Sequence, residues 1–415
     1  MFVVPRSVIL LLLVSEGLIN HSSCEVEDTL LSVIVIYRHG DRAPIRPYQT
    51  DPYKDPSNWP MGWGQLTKIG KRQQYDLGRW LRERYKNFLP EEFSPRDIYV
   101  RSTDVDRTLM SAQCNLAGLF PPDANQTWNS NLAWQPVPVH TVPEQLDPVL
   151  SMKKPCERYR QLYQALFTTR EFVDIQRENR ELYEYLTQNT GNEIYNLETL
   201  EQLYNTLFIE ELHNHTLPEW TKSVYPHKMA RWADMSFALY TYNPKLALLR
   251  TGPLMDVIYK AFDNASLPKM HMFSAHDTTI ADILNTLGIF DRHSPPYAST
   301  ILFELRARGV NRLVNILYKN STTPQRMVLK DCQFDCPLDT FNEILDRVRL
   351  SDGEWESACE ARFLGMVQFG TLQTGVFLGC MGLLFVLLCS FIISIVWSRR
   401  RRETVNYLRI PNQEE

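Results

Sequence analysis

Residues Leu30–Pro44 read LLSVIVIYRHGDRAP. The first eight, Leu30–Tyr37, form an almost unbroken apolar, largely β-branched run, the pattern of a strand buried on both faces of a sheet. A histidine, His39, then sits between two arginines, Arg38 and Arg42. Three cationisable groups within five residues repel one another and resist burial, so packing alone gives no reason for them. An anion arriving at the strand's end would resolve the conflict.

Outward from this strand, Ala43–Gly64 is a loop rich in Pro, Trp and Gly, and Thr67–Lys86 has helical periodicity. Pro95–Ser102 reads as a second strand and the chain from Thr103 as a second helix, so the opening third predicts an α/β sheet. From Cys156 to about Phe262 the sequence is rich in Tyr, Leu, Glu and Arg at helical spacing, which predicts a helical domain or insertion. Strand character returns at Lys269–Ser274, followed by Ala275-His276-Asp277 and a helical run. Ser299–Arg306 and Arg312–Tyr318 are further strand candidates. The division expected is an α/β core over about 28–155 and 265–350, with a helical insertion over about 156–264.

Three predicted strands thus end in charged groups: Arg38-His39-Gly40-Asp41-Arg42, Arg101, and His276-Asp277. In open α/β sheets ligands bind beyond the carboxyl ends of the strands. Were these strands neighbours, Arg38, Arg42 and Arg101 would offer forked donors suited to a tetrahedral oxyanion, above all phosphate. His39 is the group able to attack phosphorus, giving a phosphohistidine. Asp277 is placed to protonate the leaving alkoxide and then to activate water, while His276 would hydrogen-bond a phosphoryl oxygen. Arginines supply the charge stabilisation here, so neither metal nor cofactor is expected. A donor that must be protonated predicts an acid optimum. Asp41 is expected to partner an arginine. Asp104 and Arg107 are expected to serve a helix start and ion pairs, and His271, His213 and His215 to be structural.

R-H-G-x-R-x-P, present as RHGDRAP, together with a distant H-D, present as SAHDTT, resembles the histidine acid phosphatase family. WPMGWGQLT, VRSTDVDRTLMSA, LFPP, WQPVPVHTVP, HNHTLPEW and SPPYAS resemble its lysosomal and prostatic branch across residues 24–365. The resemblance implies a phosphoglycerate-mutase-like open sheet flanked by helices, with His39 as nucleophile, Asp277 as proton donor, and Arg38, Arg42, Arg101 and His276 binding phosphate. It also implies disulfides Cys156–Cys359 and Cys332–Cys336. A further bridge of such relatives falls here on Ile209 and Thr300 and is lost, leaving Cys114 unpaired. Trp134 and His140 lie in a stretch that forms the dimer contact in similar enzymes, so a homodimer is expected. Phytase-like inositol-polyphosphate phosphatases share R-H-G-x-R-x-P, but the H-D in place of H-A-E argues against them. A silent phosphate-binding ectodomain would have no need of three unpaired arginines.

The ends predict a topology. Arg6 precedes the short apolar run Val8–Val14, which reads as part of a signal peptide over 1–23. Val376–Trp397 is apolar and is followed by Arg399–Arg402, which predicts a transmembrane helix within 371–397 and a cytosolic tail over 398–415. A short linker is expected over 353–370. Sequons at Asn125, Asn214, Asn264 and Asn320 fit a glycosylated lumenal or extracellular domain, at the lysosomal or plasma membrane. Tyr407-Leu408-Arg409-Ile410 fits Y-x-x-Φ, a peptide that endocytic adaptors bind. With 44% hydrophobic and 22% charged residues and a formal net charge of −4, nothing suggests a nucleic-acid surface.

Overall fold

The computed structural model describes residues 28–263, 268–360, 382, 384 and 386–399. The predicted signal peptide, Asn264 and the Tyr407–Ile410 motif lie outside them. Contacts divide the chain after Trp355, and the part before it holds the sheet and its helices.

Among the described residues seven strands form one sheet: β1 (Asp28–Arg38), β2 (Ile98–Ser102), β3 (Met270–Ala275), β4 (Thr300–Arg308), β5 (Asn311–Lys319), β6 (Gln325–Met327) and β7 (Cys336–Pro337). Their order is β2-β3-β1-β4-β5-β6, with β7 also on β5. β2, β3 and β1 are parallel neighbours, in register so that Arg38 lies opposite Ala275, and Ser102 opposite Ser274. The three charged strand ends therefore meet at one edge, which meets the condition set by their sequences. β4 runs antiparallel to β1, with Thr300 opposite Tyr37, so the loop entering β4 reaches that same edge.

Alternation along β1 explains its unbroken apolar run. Val33, Val35 and Tyr37 pack on one face with Leu77 and Leu81 of α1 (Lys68–Arg84) and Leu116 of α2 (Asp106–Leu119). Ile34 and Ile36 pack on the other. Both faces are covered, as a parallel sheet requires. Helix α1 begins where Thr67 accepts the Gly70 N–H, one residue inside the predicted start.

The insertion contains α3 (Glu157–Leu166), α4 (Arg170–Glu178), α5 (Arg180–Thr190), α6 (Leu197–Leu212) and α7 (Ala230–Ser236) around a core of its own that includes Leu186, Leu200, Leu207 and Met229. Its predicted limit near 264 is too late. α8 (Pro244–Asp263) joins α9 (Asp277–Thr286) and α10 (Leu338–Asp346) on the sheet, where Leu254, Ile258 and Phe262 pack among Ile34, Phe273 and Phe303. Helical spacing cannot tell which neighbour a helix covers.

Cys332 and Cys336 are bonded, with Cα atoms 5.6 Å apart, and Cys156 and Cys359 are disulfide-bonded too. Cys114 is a half-buried free thiol on α2. The expected linker begins as a helix, α11 (Asp352–Cys359). Beyond Trp355, residues 386–399 are helical, and among the described residues no helix is long and apolar enough to cross a membrane.

Candidate active site

Arg38 closes β1, and the backbone continues its register through the turn: His39 N–H bonds the Ala275 carbonyl and Ala298 N–H bonds the His39 carbonyl. Gly40 is required by close approach, since a Cβ there would lie 2.3 Å from the Gly70 carbonyl oxygen of α1. Gly70 meets the same limit, 2.1 Å from the Asp41 oxygen. The loop of His39 and helix α1 thus touch backbone to backbone.

His39 is only 1% exposed. Its Nδ1 lies 2.8 Å from the Gly40 carbonyl oxygen, which can only accept, so Nδ1 carries the proton and Nε2 keeps its electron pair. Burial, then Arg107, Arg38, His276 and Arg42, hold this imidazole well below its usual range. It is neutral, as a nucleophile must be.

The Arg38 guanidinium donates to the Pro295 carbonyl at 2.6 Å, ion-pairs with Asp277 Oδ2 at 2.7 Å and lies 4.1 Å from the Tyr297 ring centre. Arg42 donates to Asn205 Oδ1 of α6 at 2.8 Å and to the Ala43 carbonyl at 3.1 Å. His276 and Asp277 begin α9, where the helix dipole favours an anion. Asp277 accepts the Thr278 N–H at 2.8 Å. Burial raises its carboxyl, but Arg38 and Arg42 outweigh burial and leave it below the usual carboxylate range. His276 contacts Thr103 Oγ1 through Nε2 at 3.0 Å and Arg107 Nη2 through Nδ1 at 3.4 Å. A guanidinium only donates, so Nε2 bears the His276 proton. Burial, followed by Arg107, pushes His276 down to about 3.

Arg101 departs from its predicted place. It pairs with Asp147 Oδ1 at 2.5 Å, and that carboxylate also accepts the backbone N–H groups of Val149, Leu150 and Ser151. The third cation beside His39 is Arg107, from the first turn of α2, which burial and Arg42 push down to about 10. Strand alternation could not reveal this, because the side chain comes from the helix after β2. Asp41 also differs from expectation: its partners are Thr67 and His213, the latter at 2.8 Å, and no arginine. Tyr297 is a further residue that spacing in the sequence did not single out, while His213, expected to be structural, holds Asp41.

The Nε atoms of Arg38, Arg42 and Arg107 are buried without a hydrogen-bond partner among the described residues. Such donors are ordinarily satisfied, so three around one neutral histidine mark a place for an acceptor with several oxygens. The Arg101 Nε is also unpartnered, but its guanidinium is already neutralised by Asp147.

Residues 29–319 match the family described as the histidine phosphatase superfamily (branch 2). The chain belongs to this superfamily. Among curated relatives of this histidine phosphatase, the lysosomal acid phosphatase of Xenopus laevis is 37% identical over 374 residues, covering 87% of this chain and 85% of that one. The lysosomal acid phosphatase of Homo sapiens is 38% identical, covering 80% of each, and the prostatic acid phosphatase of Rattus norvegicus is 38% identical, covering 79% of this chain and 88% of its own. Of solved structures, the phytase from Citrobacter braakii superposes with a TM-score of 0.59 at 17% identity, over 80% of this chain and 100% of that one. At that identity the phytase speaks for the fold of this histidine phosphatase alone.

Proposed function

We propose that the protein is an acid phosphatase that hydrolyses phosphate monoesters through a phosphohistidine. The observation that carries this is the neutral, Nδ1-protonated His39 among three guanidiniums with unsatisfied Nε donors. The phosphate lies on Arg38, Arg42 and Arg107 with His276 at its edge. Nε2 of His39 attacks phosphorus, the P–O ester bond breaks, and the leaving alkoxide takes a proton from Asp277. A bound phosphate competes for Arg38 and adds negative charge, which lifts Asp277 towards its protonated form, more readily in acid. Water then attacks the phosphohistidine, Asp277 takes its proton, and inorganic phosphate leaves.

The names of the relatives support a lysosomal location; the plasma membrane as an alternative and a lumenal phosphatase domain belong to the same reading. The same reading includes a cleaved signal peptide, a span over Val376–Trp397, a homodimer through the Trp134–His140 stretch, and adaptor binding at Tyr407–Ile410. Asn125 and Asn214 are exposed and Asn320 half-buried, as suits glycan attachment. The test is hydrolysis of p-nitrophenyl phosphate by the glycosylated protein from pH 4 to 8, with and without chelator, beside His39→Ala. Acid-side turnover that survives chelation, disappears in the variant and accompanies an acid-labile phosphoenzyme supports the reading. No turnover by the folded protein overturns it.

A further inference from the structure

Beside Arg42 a cavity of about 260 Å³ opens between the 42–48 loop and helix α6. Arg42 and Arg46 on its wall are already engaged by Asn205 and Gln202. The Glu201 side chain on the same wall is not. Its half-buried carboxyl makes no hydrogen bond among the described residues. Glu201 lies one helical turn before Asn205, hence on the same face of α6. Arg42 is part of the cavity wall, so the cavity lies next to the phosphate position of the reading above.

We infer that Glu201, on the wall of the cavity beside Arg42, donates a hydrogen bond to the alcohol half of the substrate and makes the enzyme favour phosphate esters of polyhydroxy alcohols. The inference rests on the phosphatase reading above and deepens it. A hydroxyl of a polyol can accept from Glu201, whereas a plain aryl group cannot. Burial, followed by the Asp277 carboxylate, pushes Glu201 up to about 7; Arg42 and Arg38 pull against this and Glu198 adds to it. Tyr240 also feels Glu201 and, held far above neutrality, brings no charge. The acid is therefore protonated at the pH where a phosphatase of this kind works. The two carboxyls near the site are driven apart, Asp277 downwards and Glu201 upwards, an arrangement that separates roles.

The test compares kcat/KM for glycerol 2-phosphate and p-nitrophenyl phosphate in the wild type, Glu201→Gln and Glu201→Leu, from pH 5 to 8. The readout is the ratio between the two substrates, which cancels any loss of folded enzyme. At pH 5 Glu201→Leu should lower the ratio about 3- to 10-fold, the worth of one hydrogen bond, while Glu201→Gln, which keeps a donor, stays within about threefold. The wild-type ratio should fall as pH rises through about 7, and the Glu201→Gln ratio should stay flat. A ratio that is the same in all three proteins, or a wild-type ratio independent of pH, overturns the inference. Absence of p-nitrophenyl phosphate turnover would instead strike the phosphatase reading.

Discussion

The buried Asp41 carboxylate, two residues from His39, accepts a hydrogen bond from His213 Nε2 at 2.8 Å. His213 caps the end of α6, so the loop of the nucleophile is fastened to the helical insertion. Removing this donor by His213→Ala leaves a buried carboxylate with Thr67 as its remaining side-chain partner. The variant should lose about 1.5–3 kcal/mol, measured by urea unfolding, and turn over more slowly because the loop is less firmly held.

Arg101 and Arg107 should separate cleanly. Arg107→Ala removes a cation from the phosphate position and should cost roughly 10²–10³ in kcat/KM for an aryl phosphate, with little change in stability. Arg101→Ala strips the Asp147 carboxylate of its ion pair and should cost roughly 2–4 kcal/mol in unfolding, while the folded fraction keeps most of its kcat/KM. The reverse pattern would restore Arg101 to the site.

The stability of the protein should fall in acid because of His276. Its value is about 6.5 when unfolded and about 3 when folded. Below pH 6.5 the unfolded chain binds a proton that the folded protein refuses, so stability declines as pH falls from 6.5 towards 3. Between pH 6.5 and 5 this amounts to roughly 2 kcal/mol. Urea midpoints at the two pH values should differ less in His276→Asn than in the wild type.

Gly70→Ala probes the contact between α1 and the nucleophile's loop. A methyl group there would collide with the backbone of Asp41, so either the helix or the loop must shift. A loss of about 1–3 kcal/mol is expected, together with a fall in kcat out of proportion to that in Gln65→Ala, which sits in the neighbouring loop. An active, stable Gly70→Ala protein would show that the loop has room to move.

Much of this was legible in the sequence because local pattern and chemistry agreed. The apolar run before Arg38 predicted β1 with both faces buried, and the charged ends of Tyr37, Val100 and Ser274 marked one edge of the sheet. What escaped depended on distance along the chain. Arg101 and Arg107 are both basic residues near the end of β2, and which one turns to the site depends on Asp147, far along the chain. Asp41 could not reveal His213, because 172 positions separate them. Glu201 sits in a helix whose periodicity explains its neighbours fully, so nothing in its own surroundings marks it. Tyr297 arrives by the loop into β4, an antiparallel strand whose direction the sequence does not state.

The insertion's helix α6 carries Asn205 and Glu201, whereas the arginines and histidines of the proposed phosphate position come from the end of β1, the loop after it and the starts of α2 and α9. On the proposed reading, the chemistry and the Glu201 contact to the alcohol are encoded in separate stretches of the gene. A duplicated copy can accumulate changes along one helix and acquire a new repertoire of esters while its phosphoryl-transfer machinery is inherited intact. The Arg42–Asn205 bond is the point where such drift would first be felt.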